Sequence, residues 1–527
     1  MPFQEASSQI EPLLFQMKQY KNLTKSTIEI LPSSGQTDYT AHRRCIFTLP
    51  YASLISLEDL AFHFEFHPIS PELHPPVSGS GTPAPVYRVI APKDVASLIA
   101  EIDIKINGQT IQHLTRYNDI VNLLNTFERP GTAKSVLQGF MPGYRKQQGV
   151  NGQYIEIKTH NYAGATGASP FKKNVPQKYV INHWYGLFGK RGKEVSSNFI
   201  DTNMLGEVTI AFVFASPSVC IKSQGTLREV QAAGGQTLSL ANTPTTTAPF
   251  FDDNGASPPV LTAAGAANKL AYEAWLNATQ TNTGYIIKNP KMSMVRYNLP
   301  GAYSEAVRSH LSNGSPYQIA FNHYEIHSAN CEANNGNIRW NENSRDIKGL
   351  LAFFNNTNRD TGTGSDYNEA VNSSEYFLYD NPIHHESQFQ IGSVKMPQNK
   401  LNTIDCFLEL TRGLPGVRGN NTDMDLTYTE HNLLATVEGW TEKSFMAYLS
   451  LEWTEGMTDL ANDGKKLLSG LSSEQLPISC VYFYDNDQTF RGSVAADQYK
   501  WNKSVNVMSL TTRLLVIENG QNVHVEI

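Results

Sequence analysis

The segment 284–330 constrains the fold most, because it has the pattern of a strand, a short helix and a second strand near the middle of the chain. Its first strand places Met292 and Met294 on one face, the period-two alternation of a half-buried strand. The second strand changes phase between Phe321 and Tyr324, which predicts a β-bulge. We therefore expect the segment to join two similar β-domains. The helix between its strands carries one apolar stripe at i, i+4 and i+8, formed by Tyr303, Val307 and Leu311.

Alternating segments with turn signals recur on both sides of this segment. In the first half, two such strands meet at Asn107-Gly108, the strongest short-range hairpin signal, and Asn118 or Asp119 can cap the helix that follows. In the second half, a similar hairpin turns at Gly392-Ser393, and Thr403 can cap the next helix. The chain closes with another predicted hairpin. The two halves therefore share an order of elements.

The offsets between corresponding positions support an internal duplication. The offset decreases along the chain. The largest decrease coincides with a long Ala-, Thr- and Pro-rich segment of the first half, Lys222–Thr283. We interpret this segment as a surface insertion before the last strand of the first domain. The corresponding pairs are Ile120 and Ile404 (284 residues apart), Ile210 and Cys480 (270 residues apart) and Met294 and Leu515 (221 residues apart).

Many short alternating strands with turns between them predict a sandwich or a barrel, and two Greek keys give a jelly roll. The predicted fold is all-β, with two tandem eight-stranded jelly-roll β-barrels and short helices in the loops. The predicted parts are an N-terminal arm at 1–25, a first jelly roll at 26–300 with a long loop insertion at 222–283, a linking helix at 301–314 and a second jelly roll at 315–527.

Composition limits the classes of function. The formal net charge of -7 argues against a protein that condenses nucleic acid, which needs a cationic surface. The sequence shows neither a transmembrane helix nor a secretory signal, so we expect neither. The cysteines are dispersed and odd in number, which favours reduced, buried thiols. They are Cys45, Cys220, Cys331, Cys406 and Cys480.

Motifs that would carry catalysis or bind metal are incomplete. The stretch Gly186–Lys193 lacks the first glycine and the Ser/Thr of a phosphate-binding loop, and Gly464-Lys465 fails in the same way. His323, His327 and Cys331 have a helical spacing, but their segment is predicted as a strand, which would spread them apart.

Two further groups of polar residues are predicted to be solvated loops. They are His384-His385-Glu386, and the acidic group of Asp423, Asp425 and Glu430, which lacks the spacing of a calcium loop. We therefore predict no catalytic, cofactor-binding or metal-binding residues, no cofactor, and a protein that is not an enzyme.

Four motifs, in this order, resemble major capsid proteins of the double jelly-roll lineage. The resemblance is closest to those of polinton-like viruses and virophages, and giant DNA viruses are more distant. It covers roughly residues 25–527. The motifs are Tyr285–Asn298 with Leu299-Pro300, Ser344-Arg345-Asp346 before an apolar strand, Phe389–Ser393 with Pro397, and the closing segment 514–527.

The resemblance implies a homotrimer that forms a pseudo-hexagonal capsomer and tiles the icosahedral shell of a double-stranded DNA virus. It implies contacts with neighbouring capsomers and with penton and minor capsid proteins, without sequence-specific binding of nucleic acid. The protein would lie in the virion after assembly in the host cytoplasm or nucleus, with the arm inside. The insertion and the loop 355–374 would form towers or interfaces. The triangulation number and an internal lipid layer stay open.

The alternative is a carbohydrate-binding or carbohydrate-active tandem β-sandwich, since jelly rolls also serve that role. Such a protein needs a concave sheet face lined by Trp or Tyr. The tryptophans do not alternate within one strand, which counts against it. They are Trp184, Trp275, Trp340, Trp440, Trp453 and Trp501.

Overall fold

The structure is a computed structural model of the whole chain. It describes residues 24–51, 54–69, 87–92, 94–127, 177–189, 199–224, 251–252, 260–261, 284–298, 305, 309, 317–331, 335–356, 379, 386–413, 428–431, 445–451, 470–473, 477–483, 503–518 and 522–526.

The strands of the first half all precede residue 299. Their bounds are β1 Thr24–Ile30, β2 Asp38–Thr40, β3 Arg44–Thr48, β4 Leu54–Ile69, β5 Tyr87–Ile90, β6 Ile99–Ile106, β7 Gln109–Leu114, β8 Gln177–Ile181, β9 Phe199–Asp201, β10 Val208–Phe214, β11 Ile221–Gln224, β12 Phe251–Asp252, β13 Val260–Leu261 and β14 Gly284–Asn298.

The strands of the second half begin at residue 317. Their bounds are β15 Tyr317–Cys331, β16 Asn335–Asn341, β17 Ile347–Asn356, β18 Glu386–Ile391, β19 Val394–Asn402, β20 Met446–Ser450, β21 Pro477–Phe483, β22 Lys503–Glu518 and β23 Asn522–Glu526. The helices are α1 Tyr117–Phe127, α2 Thr202–Leu205, α3 Thr403–Gly413 and α4 Tyr428–His431, with 3-10 turns at Val95–Leu98, Gly186–Phe188 and Pro217–Val219.

Each half builds the same pair of antiparallel sheets. In the first half the sheet orders are β1-β14-β4-β8 and β3-β10-β6-β7. In the second half they are β15-β22-β17-β20 and β16-β21-β18-β19. The strands of the two halves correspond position by position. In each half, one sheet pairs the first long strand with the last long strand, β1 with β14 and β15 with β22, as in a jelly roll. The predicted double jelly roll is confirmed, and with it the shared order of elements in the two halves.

The second barrel has an apolar core of its own, which includes Trp340, Phe354, Phe389 and Val507. A larger cluster contains the interior of the first barrel together with residues of the second, among them Tyr324, Phe353 and Leu510. The sheet β15-β22-β17-β20 is therefore covered on both faces, by its own barrel on one side and by the first barrel on the other.

The predicted hairpins are confirmed. Asn107 and Gly108 both have positive φ, 50° and 79°, as a two-residue type I′ turn between β6 and β7 requires. Gly392 has φ 59° at the corresponding turn between β18 and β19. The closing hairpin forms between β22 and β23, where Leu515 pairs with Val525.

Both predicted helix caps are wrong. α1 begins at Tyr117, before Asn118 and Asp119, so neither of those residues precedes the helix. α3 begins at Thr403, and the cap is Asn402, whose Oδ1 accepts from the backbone N of Ile404 and of Asp405, both at 2.9 Å. A capping residue lies before the first helical residue, and Asn is among the best at this position.

The predicted β-bulge in β15 is also wrong. β15 pairs with β22 in continuous register from Tyr317↔Ile517 to Cys331↔Lys503. Phe321 and Tyr324 lie on opposite faces and are both buried. The change of phase in the sequence therefore reflects burial on both faces of the strand, and not an extra residue.

Several predicted parts fall outside the described residues. β1 begins at Thr24, two residues inside the predicted arm, and residues 1–23 are not described. Within the predicted linking helix, Glu305 and Ser309 are helical and exposed. Of the insertion, residues 222–224 continue β11 and two short strands, β12 and β13, pair with each other. The domain boundaries stay predictions. None of the helices that the structure describes has the length and apolar character needed to span a bilayer.

Candidate functional site: the interface between the two barrels

Helix α1 lies at the contact between the first barrel and the second, where Asn122 bonds to Tyr379. Its apolar residues Ile120, Val121 and Leu123 are buried, as the amphipathic pattern predicts. Its polar residues Asn118, Asp119, Asn122 and Asn125 are buried as well, each at 5% exposure or less. A polar helical face is normally solvated, so this one must be covered by another part of the chain.

Arg116, which lies just before α1, joins three elements. Its Nε donates to Asp119 Oδ2 at 2.7 Å, and its Nη1 donates to Asn506 Oδ1 in β22 at 2.7 Å and to Ser328 Oγ in β15. The Ser328 hydroxyl in turn donates to Asn506 Oδ1 at 2.6 Å. The Asp119 carboxylate is fully buried, and burial raises its pKa although Arg116 lowers it. The guanidinium is the counter-charge that makes this burial tolerable.

Gln112 in β7 is a second bridge. Its Oε1 accepts from Leu187 N at 2.7 Å, and its Nε2 donates to Asn322 O in β15 at 3.1 Å. Gly186 permits this arrangement, because it has φ 88° and an added Cβ would lie 2.5 Å from Gln112 Oε1. The stretch Gly186–Lys193, which resembles a phosphate-binding loop in sequence, thus begins with a buried 3-10 turn at the barrel interface.

His323 lies beside the same bridge. Its Nδ1 is 3.4 Å from Gln112 Nε2, which can only donate, so Nδ1 is the acceptor and the neutral ring carries its proton on Nε2. Burial lowers the pKa of His323 to about 3, and the positive charge of Arg513 acts in the same direction. His323 is therefore neutral in the folded protein at physiological pH.

Two tyrosines complete the contact. Asn122 Nδ2 in α1 donates to the Tyr379 hydroxyl at 2.8 Å, and the Tyr379 ring lies edge-on to Phe353 in β17, with centroids 5.2 Å apart. Tyr185 packs edge-on against Tyr324 in β15 at 6.0 Å and donates through its hydroxyl to Asn125 Oδ1 at 2.7 Å. Aromatic groups with satisfied hydroxyls are typical of well-packed interfaces.

The surface of the second barrel that faces the first barrel is the outer face of β15-β22-β17-β20. The pairing puts Tyr324 beside Leu510, and Met508 beside Ile326 and Leu351. These side chains belong to the cluster that contains the interior of the first barrel. The two barrels are thus joined by an apolar sheet face and a small set of polar bridges beside a buried helix.

The corresponding helix of the second barrel, α3, is exposed on one side. It buries Cys406 and Leu410, whereas Ile404 is 62% exposed and Leu408 is 43% exposed. Tyr428 of α4 is 39% exposed and lies edge-on to Phe407, with ring centroids 5.3 Å apart. Ile404, Leu408 and Tyr428 are hereafter called the α3 patch. Contiguous exposed apolar groups of this kind mark binding surfaces.

In the described residues, the corresponding sheet of the first barrel is partly exposed on its outer face. That face is polar, since Lys291 Nζ donates to Glu29 Oε1 at 2.8 Å and His63 Nε2 lies 2.7 Å from Ser293 Oγ. Thr27 in β1 is exposed on the same face. β1 forms one edge of its sheet, because the only strand in the described residues that pairs with it is β14. An unpaired strand edge is open to contact with another chain.

The other residues considered from the sequence are scattered. His323 and His327 lie on one strand, as predicted, and His327 stacks on Trp340 at 5.4 Å instead of approaching His323. Glu386 begins β18 and pairs with Lys400 at 3.0 Å. Within the described part of the chain, no group of three or more His, Cys, Asp or Glu residues is placed to hold a metal ion.

Three of the groups considered from the sequence fall wholly or partly outside the described residues. They are the pair at 464–465, the histidines at 384–385 and the acidic residues at 423 and 425.

The described tryptophans belong to the cores. Trp184 stacks on Phe212 at 5.4 Å and donates through Nε1 to Leu60 O at 2.8 Å, and it is 2% exposed. Trp340 is 7% exposed. Neither residue lines an open sheet face, which is what a sugar-binding platform needs. The tryptophans at 275, 440, 453 and 501 lie outside the described residues.

Sequence reasoning missed the interface residues Arg116, Gln112, Asn122 and Tyr379. The sequence of α1 contained one signal of this interface. The face of α1 outside its apolar stripe carries Asn and Asp and no Lys or Arg. Short amide side chains on the outer face of a helix favour buried hydrogen bonds over solvation.

Comparison of the sequence with protein-family models and with curated proteins gave no match. Comparison with solved structures gave matches over nearly the whole chain. A chain of the PBCV-1 virus capsid matches with a TM-score of 0.51 at 10% identity, covering 98% of this chain and 99% of that chain. A chain of the Sputnik virophage structure matches with a TM-score of 0.52 at 10% identity, covering 98% and 90%. The fold resembles that of double jelly-roll capsid proteins across both barrels.

Proposed function

We propose that the protein is the major capsid protein of a double-stranded DNA virus. In this role three copies form a pseudo-hexagonal capsomer, and these capsomers tile an icosahedral shell. The observation that carries the proposal is the correspondence of both barrels, in one chain, with a chain of the PBCV-1 virus capsid over 98% and 99% of the two chains. The role is structural and requires no catalysis.

The interface between the barrels supports this role. A shell protein must hold a fixed shape under load, which requires its two lobes to move as one body. The apolar outer face of β15-β22-β17-β20 and the polar bridges of Arg116 and Gln112 supply that rigidity. Interfaces with a large apolar core resemble permanent contacts more than transient ones.

The proposal includes the partners and the location of the protein. The chain binds other copies of itself, and penton and minor capsid proteins bind the assembled capsomers. The protein resides in the virion shell after assembly in the host cytoplasm or nucleus, with residues 1–25 on the inner side. The net charge of -7 fits a shell protein that binds no specific nucleic-acid sequence.

The test is the oligomeric state and shape of the purified protein. Mass photometry at micromolar concentration without denaturant should give three times the mass of one chain. Negative-stain microscopy of the same sample should show particles with six similar lobes. A monomer under these conditions would contradict the proposal, because a capsomer has to form before the shell does.

A further inference from the structure

We propose that the Glu342 side chain binds a proton inside the second barrel, and that release of this proton loosens the packing between the two sheets of that barrel. The inference goes beyond the proposed function and does not involve the α3 patch, because every group that carries it lies in one barrel of one chain. These groups, hereafter the Glu342 cluster, are Glu325 and His327 of β15, Trp340 of β16, Glu342 directly after β16, and Ser509 and Arg513 of β22.

Glu342 belongs to a row of inward side chains that begins in β16. Residues 338, 340, 342, 344 and 346 are buried and alternate with exposed residues. The backbone is fixed at this point, since Glu342 O accepts from Ser473 Oγ at 2.7 Å. The side chain lies where β16, in one sheet, faces β15 and β22 in the other. The period-two pattern thus directs a carboxyl group into the space between the two sheets.

The buried carboxyl group of Glu342 lacks the partners that its neighbour in this row has. The Asp346 carboxylate accepts from the backbone N of Gly470 at 2.6 Å. Glu342 is 6% exposed, and among the described residues neither of its carboxyl oxygens has a hydrogen-bond partner. A buried carboxylate without donors costs several kcal/mol as an anion. The neutral, protonated form of Glu342 avoids this cost.

The cluster has one guanidinium for two carboxyl groups. Arg513 Nη2 lies 4.0 Å from Glu325 Oε2, and the Glu325 side chain is 45% exposed, so Glu325 is both paired and solvated. Arg513 can balance only one negative charge. If Glu342 were also ionised, its charge would be buried without a counter-charge of its own. A proton on Glu342 restores the balance.

The rings beside Glu342 supply no positive charge. The His327 ring stacks on the Trp340 ring with centroids 5.4 Å apart, and within the described part of the chain its Nε2 has no hydrogen-bond partner. Burial lowers the pKa of His327, although Glu325 raises it. The imidazole is therefore neutral near pH 7 and cannot act as the counter-ion of Glu342.

The electrostatic surroundings agree with this geometry. Burial raises the pKa of Glu342, and the charge of Glu325 acts in the same direction, whereas Ser509, Trp340 and Arg513 lower it. A folded-state pKa above the unfolded value of about 4.3 means that the proton stabilises the fold fully below about pH 4.3. This stabilisation is lost as the pH rises through the folded-state pKa. The sign is opposite to that expected for His323.

The position of Glu342 connects the proton to the packing of the barrel. An ionised carboxylate is stabilised by moving toward water or closer to Arg513 in β22. Since the side chain is enclosed between the sheets, either movement displaces β16 relative to β15 and β22. The second barrel is therefore expected to open locally, at this end of β16, when the pH is raised.

The main experiment compares wild type with Glu342→Gln in the full chain, by urea unfolding at one protein concentration. Gln has the shape of the protonated carboxyl group and no charge. Between about pH 5 and about pH 8, the folding equilibrium constant of wild type should fall at least about tenfold relative to that of the variant. The control is Glu386→Gln, because the Glu386 side chain is 51% exposed and pairs with Lys400 at 3.0 Å. The control profile should parallel that of wild type.

Infrared difference spectroscopy observes the proton directly and does not depend on unfolding. In deuterated water, a protonated carboxyl group has a C=O stretching band that is separate from the bands of carboxylates and of the backbone. Wild type should keep such a band at about pH 6, where exposed Asp and Glu are ionised, and Glu342→Gln should lack it. In Glu325→Gln the band should disappear at a lower pH than in wild type, since the charge that raises the pKa of Glu342 is removed.

Hydrogen exchange of the β16 amides tests the loosening. In wild type, the protection of these amides should fall between about pH 6 and about pH 8 by more than the intrinsic pH dependence of exchange, and in Glu342→Gln it should not. Equal protection in the two proteins would overturn the link between the proton and the packing.

The proton site itself would be overturned by parallel unfolding profiles of wild type and Glu342→Gln together with no infrared band at about pH 6. Circular dichroism checks that Glu342→Gln is folded. If it is not, the band of wild type and its shift in Glu325→Gln decide. The capsid role is tested separately, by the oligomeric state and shape of the wild-type protein.

Discussion

The helices α1 and α3 occupy the same place in two barrels of the same topology, yet one is buried and the other is half exposed. Ile120 in α1 has no exposed surface, whereas Ile404 in α3 is 62% exposed. The strands of the two barrels are ordered alike, but the groups around the two helices differ. Asn118 and Asn125 of α1 bond to Ser97 and Asp94 of the first barrel, and Asn122 bonds to Tyr379 of the second half. Burial of a helical face is therefore set by tertiary contacts and not by the order of the strands.

The outer faces of the two corresponding sheets also differ. The outer face of β15-β22-β17-β20 is apolar and covered, with Tyr324, Met508 and Leu510 buried. The outer face of the corresponding first-barrel sheet carries the ion pair of Glu29 and Lys291. Strands covered on both faces have continuous apolar sequences, and strands covered on one face alternate.

The largest expected effect comes from placing a charge on the covered face. Leu510→Asp should lower the free energy of unfolding by at least about 4 kcal/mol, because an unpaired carboxylate would be buried between the barrels. The counterpart on the uncovered face, Thr27→Asp, should change it by at most about 0.5 kcal/mol in the isolated chain. Urea unfolding of both variants measures the difference. Equal effects would show that the two faces are not distinct.

The next effect concerns the charged bridge. Arg116→Ala should lower the free energy of unfolding by about 3 kcal/mol, because it leaves the buried Asp119 carboxylate without its counter-charge. The double variant Arg116→Ala/Asp119→Asn should recover part of that loss, since the buried charge is then absent. Thermal unfolding monitored by calorimetry tests both. If the double variant is no more stable than the single one, Asp119 is not the cause.

A smaller effect is expected at the Gly186 turn. Gly186→Ala should lower the free energy of unfolding by about 2–3 kcal/mol, because it combines positive φ with a Cβ that meets Gln112 Oε1. The matched control is Gly108→Ala, which also has positive φ but nothing within 4 Å of the added Cβ. The control should cost about 1–2 kcal/mol through backbone strain alone. An equal loss in both variants would show that Gln112 adjusts freely.

The smallest effect is a dependence on pH. The pKa of His323 is lowered to about 3 in the folded protein, below the value of about 6.5 in the unfolded chain. The unfolded state therefore binds a proton first, so stability is complete above pH 6.5 and falls as the pH drops from there toward 3. Between pH 7 and 5, His323 should account for about 1–2 kcal/mol of this loss.

The variant His323→Gln should flatten this part of the pH profile, measured by urea unfolding at each pH. His63→Gln is the control on the uncovered sheet face. The pKa of His63 is lowered by burial and by Lys291 but raised by Glu29, and the side chain is only partly buried, so its contribution should be smaller. A His323→Gln profile that parallels the wild type would place the acid sensitivity elsewhere.

Much of the fold follows from local pattern. The alternation around Asn107-Gly108 and Gly392-Ser393, and the helices after both hairpins, are visible in the sequence because turn chemistry and period-two burial act over a few residues. The helix starts are not, since Asn402 and Arg116 take their roles from geometry at the junction of strand and helix. The shared order of elements is visible in the sequence, because corresponding positions of the two halves follow one another in the same order. Duplication preserves this order even where sequence identity is low.

The interface could not be predicted from local pattern. Arg116 bonds Asn506, which is 390 residues away in sequence, and Gln112 bonds Asn322, which is 210 away. Such pairs have no spacing rule, because their distance is set by how two complete barrels meet. The change of phase in β15 is real, but the predicted cause, a β-bulge, was wrong. A strand buried on both faces and a bulged strand give similar sequence patterns.

The sequence by itself determined the strands, the hairpins and the number of barrels, because alternation and turn residues are local and repeat in order. Only the tertiary structure decided which sheet face is covered, which helix is left open, and that the phase change in β15 is two-sided burial. These properties depend on contacts between residues hundreds of positions apart. Ile120 and Ile404 have the same side chain and corresponding positions in the sequence, and the tertiary structure buries the first and exposes the second.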